Sequence, residues 1–251
     1  MTMYDLASEI GVKSFSFRLI PDNADVAAVA LRCGVSTVDL SGCHVDYDAP
    51  QSWPGVIASY RDAGVRLPGI GVVYTRPDEA WNRRFFEFAR QAEAKLISFS
   101  FPPEEHEKTL HIMEHLAEEY GIPLAIHNHG GYDWLGNHAI LEYIFKRSSK
   151  SVGLCLDTAW CMQAGEDPVK WLELFGERLY GIHFKDFRFQ SNGKPQDTVV
   201  GEGSLDLPAF VARLKTLDFN GSAVVEYEGE NPEERAAASI ARIRAVISGA
   251  E

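Results

Sequence analysis

With 251 residues, 45% of them hydrophobic, the chain can bury a full core, and its length suits one (β/α)8 barrel. A formal net charge of -12 leaves no global positive field for a phosphate backbone, which sets nonspecific nucleic-acid binding aside. No apolar run approaches the roughly 20 residues of a membrane helix, and Met1 to Ile10 has no basic stretch followed by an apolar block. A soluble, cytoplasmic protein with no nucleic-acid or membrane partner is expected.

From Val12 to Arg18 the residues alternate, with Phe15 and Phe17 on one face and Ser14, Ser16 and Arg18 on the other, which predicts a strand. Asn23 to Cys33 reads as a helix opened by Asp22 and closed by Gly34, and Val35 to Leu40 as a second strand carrying Asp39. His44 lies in the turn beyond it. Ser52 to Ala63 is a helix, Pro68 to Thr75 a strand containing Tyr74, Pro77 to Ala94 an amphipathic helix, Lys95 to Phe101 a strand, and Glu104 to Tyr120 a helix.

The second half keeps step. Strands are predicted at Leu124 to Asn128, Val152 to Asp157, Leu179 to Phe184 and Ser222 to Tyr227. Helices alternate with them: near His138 to Lys146, after the Asp167-Pro168 cap, over Asp206 to Leu217, and after Asn231-Pro232. Eight such units with no linker or low-complexity break predict a single (β/α)8 TIM barrel over residues 1–251. The rival is an open doubly wound sheet, but the glycine-bearing stretch near Gly69 lacks the GxGxxG spacing of a dinucleotide site. Cys33, Cys43, Cys155 and Cys161 show no CxxC spacing and read as reduced thiols.

Four of these strands finish on side chains able to bind a metal: His127 and His129, Asp157, His183, and Glu226. Alternation puts Cys155 and Asp157 inward with Leu154 and Leu156 outward, and by the same rule His127, His129, His183, Lys185 and Glu226 face the barrel interior. They converge at the rim where barrels keep their active sites. A mixed nitrogen and oxygen set suits Mn2+, Co2+, Zn2+, Ni2+ or Fe2+, whereas Mg2+ prefers more oxygen. Each residue also has a structural reading alone: Asp157 capping the next turn, His183 bonded in the core, Glu226 paired with Lys185.

The blocks Asp157-Thr158-Ala159-Trp160, His183-Phe184-Lys185-Asp186, Gly201-Glu202-Gly203 and Glu226 resemble the xylose isomerase-like barrel superfamily. His127-Asn128-His129-Gly130 resembles its sugar phosphate isomerase/epimerase branch. The resemblance is specific from Leu124 to Glu226, while the first hundred residues match in general pattern only. It implies a divalent-metal-dependent isomerase or epimerase that moves protons beside the carbonyl of a keto sugar or polyol through a metal-stabilised enediolate. It also implies Asp157, His183 and Glu226 as ligands, with His127 at a position usually held by glutamate. The usual histidine three residues after the aspartate is replaced by Trp160. Both departures weigh against a symmetric two-base epimerase and leave room for a one-base isomerase or a dehydratase.

On this reading Glu226 removes the α-proton, His129 returns it or supports the metal, and Lys185 and Arg18 stabilise oxyanion charge. Arg18 has the alternative of an ion pair with Asp39. Trp160 and Tyr74 are candidates to stack on a sugar face or simply to pack. His44 and Glu202 are candidates to line the substrate pocket, with Glu202 otherwise in a flexible turn. A metal-dependent lyase acting on an inosose or a 3-keto glycoside competes with isomerisation, and a non-catalytic barrel binding a sugar or a partner competes with both. A carbohydrate substrate and a possible homo-oligomer complete the expectation.

Overall fold

The computed structural model of the protein describes residues 5–249. A short helix α1 (Leu6–Glu9) precedes strand β1 (Gly11–Lys13), and the chain then alternates α2 (Asn23–Arg32), β2 (Thr37–Leu40), α3 (Trp53–Asp62), β3 (Arg66–Tyr74), α4 (Glu79–Gln91) and β4 (Leu96–Ser100). It continues through α5 (His106–Tyr120), β5 (Leu124–His127), α6 (His138–Phe145), β6 (Val152–Asp157), α7 (Thr158–Gln163), α8 (Pro168–Phe175) and β7 (Leu179–Phe184). A hairpin, β8 (Asp186–Phe189) and β9 (Pro195–Thr198), precedes α9 (Leu207–Leu214), β10 (Ser222–Val225) and α10 (Pro232–Ser248).

Eight strands close a parallel barrel in the order β1, β10, β7, β6, β5, β4, β3, β2, as the (β/α)8 reading requires. Aspartates start the helices as expected: Asp22, Asp78, Asp167 and Asp206 each accept bonds from first-turn amides of α2, α4, α8 and α9. Leu154 and Leu156 join the core beneath the helices, while Cys155 packs inside the barrel with Leu96 and Ala125, so the alternation on β6 holds. No helix among the described residues is long and apolar enough to cross a membrane. All four cysteines are free.

The structure departs from the sequence reading in three places. Strand β1 stops at Lys13, and Ser14–Phe17 form a 3-10 turn instead of continuing to Arg18. The serines of the alternating stretch serve as anchors, because Ser14 Oγ accepts from Ser41 N at 2.8 Å and Ser16 Oγ accepts from Tyr227 N at 2.9 Å. The last barrel residue of β1 that faces the rim is therefore Lys13, not Arg18. Second, the segment after β7 carries the hairpin β8–β9, for which the sequence predicts no strand. Third, α7 begins directly at the end of β6, ahead of the helix announced by Asp167-Pro168.

Candidate metal centre

Register sets Asp157 level with His183 and brings His127 and Glu226 to the neighbouring strand ends. Asp157 pairs with His183 across β6 and β7, His183 pairs with Val224 across β7 and β10, and His127 ends the neighbouring strand β5. Glu226 follows one residue after β10, its amide donating to Phe184 O at 3.1 Å. One donor atom from each of His127, Asp157, His183 and Glu226 lies within 4.8 Å of the others, and all four side chains are buried. His127 Nε2 lies 3.0 Å from His183 Nδ1 and 3.6 Å from Asp157 Oδ2, and His183 Nδ1 lies 2.9 Å from Glu226 Oε2.

Two side chains missed as functional by the sequence reading hold these strand ends in place. Asn128 clamps the backbone of Asp157, donating from Nδ2 to its carbonyl at 3.0 Å and accepting from its amide at 2.8 Å. Thr158 Oγ1 donates to Lys185 O at 2.6 Å and accepts from Lys185 N at 3.0 Å. Asp157 itself is divided. Its Oδ1 accepts from Trp160 N at 2.8 Å and so caps α7, whereas its Oδ2 has no hydrogen-bond partner.

The donor set fits a divalent cation on the structure's own terms. A buried carboxylate oxygen without a donor is costly, and Asp157 Oδ2 is such an atom, turned toward His127 Nε2. Ligand atoms about 2.1 Å from a tetrahedral ion stand about 3.4 Å apart, the scale of the spacings here. The electrostatics express the same demand for positive charge. Burial pushes the Asp157 carboxyl up to about 7 against the pull of Lys185, with Glu226 adding to the rise. Burial would also raise Glu226, but Lys185 and the His183 hydrogen bond hold it below the usual carboxylate range. Burial alone would lower His183, yet Cys155 and Glu226 hold it well above its ordinary value. Burial keeps His127 well below its ordinary value, with His129 and His183 adding to the effect.

Above the donors lies a cavity of about 440 Å³. His127 and Glu226 form part of its floor, His129, Trp160 and Tyr74 part of its walls, and Lys13 and Glu228 also line it. His129 is half-buried, its ring centroid 4.6 Å from that of His127, and burial lowers its pKa. Tyr74 is 66% exposed, so its ring stands at the mouth.

The remaining predicted site residues surround this cavity or lie beyond it. Lys185 is buried, pairs with Glu228 and sits 4.9 Å from the Trp160 ring centroid, both of them residues that line the cavity. Arg18 donates to Glu228 O at 2.7 Å, and the partner of Asp39 is Lys13. His44 is buried in the wall, its Nε2 3.0 Å from Ile20 O and its Nδ1 3.0 Å from Ser14 Oγ. Glu202 is exposed and faces a neighbouring cleft of about 570 Å³ with Arg188 and Arg235. Its two flanking glycines belong to a loop gripped by Asp186, whose carboxylate accepts from the amides of Gly201, Gly203, Ser204 and Leu205 at 2.9 to 3.0 Å.

Known proteins share this architecture and parts of the sequence. An inosose dehydratase from Geobacillus kaustophilus is 28% identical over 133 residues, 47% of this chain and 43% of that protein. A 3-oxo-isoapionate decarboxylase from Pectobacterium atrosepticum is 26% identical over 156 residues, 57% of this chain and 56% of that protein. The matches thus span about half the length of these curated relatives. A sugar phosphate isomerase/epimerase structure from Parabacteroides distasonis superposes with a TM-score of 0.75 at 17% identity, covering 95% of this chain and 94% of that one. The IOLI protein with a bound zinc atom superposes with a TM-score of 0.75 at 16% identity, covering 96% and 98%. At these identities the superpositions establish the fold. The family profile described as "Xylose isomerase-like TIM barrel" matches residues 27–246, and the chain belongs to that family.

Proposed function

We propose that this protein is an enzyme that holds one divalent cation on His127, Asp157, His183 and Glu226 and transfers a proton beside the carbonyl of a keto sugar or keto polyol. The observation that carries the reading is the convergence of four buried donors, one of them an unpartnered carboxylate oxygen, with two of the four, His127 and Glu226, lining a cavity. A cation bound there supplies Lewis acidity, which makes the hydrogen next to a carbonyl easier to remove.

The chain's own residues supply the proton handling. Glu226 stays ionised at neutral pH because Lys185 and His183 outweigh the effect of its burial, so it can accept a proton. His129 is kept neutral by burial and can accept or return a proton from the wall. Trp160 and Tyr74 offer aromatic faces for the apolar side of a polyol ring.

A second reading, loss of a β-hydroxyl after the same proton abstraction, is favoured by one feature. His127 stands where a two-carboxylate epimerase has its other base, so that among the four donors Glu226 is the carboxylate that lines the cavity, with His129 also in the lining. The inosose dehydratase relative supports the same reading.

The test is to strip the protein with chelator, reload it with Mn2+, and incubate it in D2O with inosose or D-fructose. The expected result is metal-dependent loss of the proton signal beside the carbonyl. A product of unchanged mass, corrected for deuterium, supports isomerisation, and one lighter by water supports the lyase. Absence of exchange with every keto substrate tried, at full metal occupancy, overturns the proposal.

A further inference from the structure

The four donors occupy adjacent strands β5, β6, β7 and β10, one half of the barrel. The opposite half carries a second buried polar assembly. Lys13, 1% exposed at the end of β1, donates from Nζ to Asp39 Oδ1 on β2 and to Gly71 O on β3. Glycines make room for it: a Cβ on Gly69 would overlap the Asp39 carboxylate, and Gly71 brings its carbonyl within reach of the ammonium. Three consecutive strands are thereby committed to placing one cation.

Stability alone is a poor account of such a pair, because a buried ion pair seldom outperforms apolar residues of the same volume. An ammonium also has three protons to donate, and two hydrogen bonds are made within the protein. Lys13 lines the same cavity as His127 and Glu226, and β1 lies diametrically across the barrel from β5. The open side of the group is therefore the cavity.

We propose that Lys13 is a substrate-binding residue whose remaining N–H donates to an oxygen of a polyhydroxy ligand, across the barrel from His127 and beside the strand that leads into Glu226. Its bonds to Asp39 and Gly71 O fix the direction of the group, so it serves the ligand as a hydrogen-bond donor. This deepens the proposed function, since it takes the cavity to be a keto polyol site. It also gives Lys13 the oxygen-stabilising position that the sequence reading assigned to Lys185 and Arg18.

The test measures binding, so that it does not depend on turnover. Calorimetry with inosose, and with myo-inositol as an analogue lacking the carbonyl, is run in buffer containing Mn2+ on the wild-type protein, on K13M, and on K13M/D39L. The double variant removes both charges and guards against misfolding from an unpaired Asp39, and thermal melts check that each variant is folded. Binding is expected to weaken about 10- to 100-fold in both variants, the loss of one charge-assisted hydrogen bond, while Mn2+ binding stays unchanged. Polyol binding by folded K13M/D39L within about twofold of wild type, or no binding of either polyol to wild type, overturns the assignment. If wild type shows no proton exchange but the Lys13-dependent difference in binding persists, the proposed reaction fails and the role of Lys13 stands.

Discussion

At the scale of single residues, Asp157 does two jobs with its two oxygens. Oδ1 caps α7 and Oδ2, which has no hydrogen-bond partner, is the oxygen proposed for a cation, so substitution at this position has two separately measurable effects. Asp157→Ala removes both, and should abolish stoichiometric Mn2+ or Zn2+ binding and also destabilise the fold by about 1 kcal/mol through the lost cap. Metal analysis after dialysis and a urea melt check the two halves. Glu226→Gln should lower kcat about 10²- to 10⁴-fold, more than it weakens substrate binding, because the amide cannot take the proton. Steady-state kinetics with the substrate found in the exchange test measures this, and full activity would remove Glu226 as the base. His127, Asp157, His183 and Glu226 were legible in the sequence because buried strands of apolar residues ended on them. Lys13 was not, because alternation from Val12 to Arg18 suggested a longer strand, and serine hydroxyls that bond distant amides leave no periodic trace.

At the scale of elements, strand ends are fastened laterally by polar side chains. Asn128 joins β5 to β6 through two buried hydrogen bonds, and Asn128→Ala would leave the amide and carbonyl of Asp157 without them. A loss of about 2 kcal/mol in a denaturant melt is expected, together with weakened metal binding. A second fastening joins α6 to α8 through Glu166, which accepts from Trp171 Nε1 at 3.2 Å and pairs with His138 Nδ1 at 2.8 Å. Burial alone would raise the Glu166 carboxyl, but these partners outweigh it and lower its pKa below the ordinary value. The contribution is therefore present at neutral pH and is lost as pH falls below the ordinary carboxylate value toward the depressed one. Glu166→Gln should cost roughly 1 kcal/mol at pH 7, with the difference from wild type shrinking below about pH 4, as urea melts at the two pH values would show. Most helices and strands were legible from caps such as Asp22 and Asp167 and from their apolar runs, whereas α1 and α7 were not. The β8–β9 hairpin was not, since its strands are short and largely polar, although Asn192-Gly193, with Gly193 at φ 79°, is the turn signal that could have revealed it.

At the scale of the whole molecule, a cation that binds only the folded chain must stabilise it. At 100 times its dissociation constant the gain is about 2.7 kcal/mol, which for a chain of this size corresponds to a rise in Tm of roughly 5 to 10 °C. Scanning calorimetry with Mn2+, Co2+ or Zn2+, reversed by chelator, checks this, and no shift with any of them would leave the cluster without the role proposed. The division of the barrel has a further consequence. Metal donors sit on β5, β6, β7 and β10, while the Lys13, Asp39 and Gly71 assembly sits on β1, β2 and β3. Under the proposed roles, chemistry and grip fall to separate stretches of chain that meet where β1 pairs with β10. Under those roles, β2 and β3, which pair with no donor-bearing strand, can be rewritten to suit a new polyol while the donors stay in place, so substrate range and reactivity can evolve at different rates. That independence accords with a sequence whose resemblance to its family is specific in the C-terminal half and general in the N-terminal one.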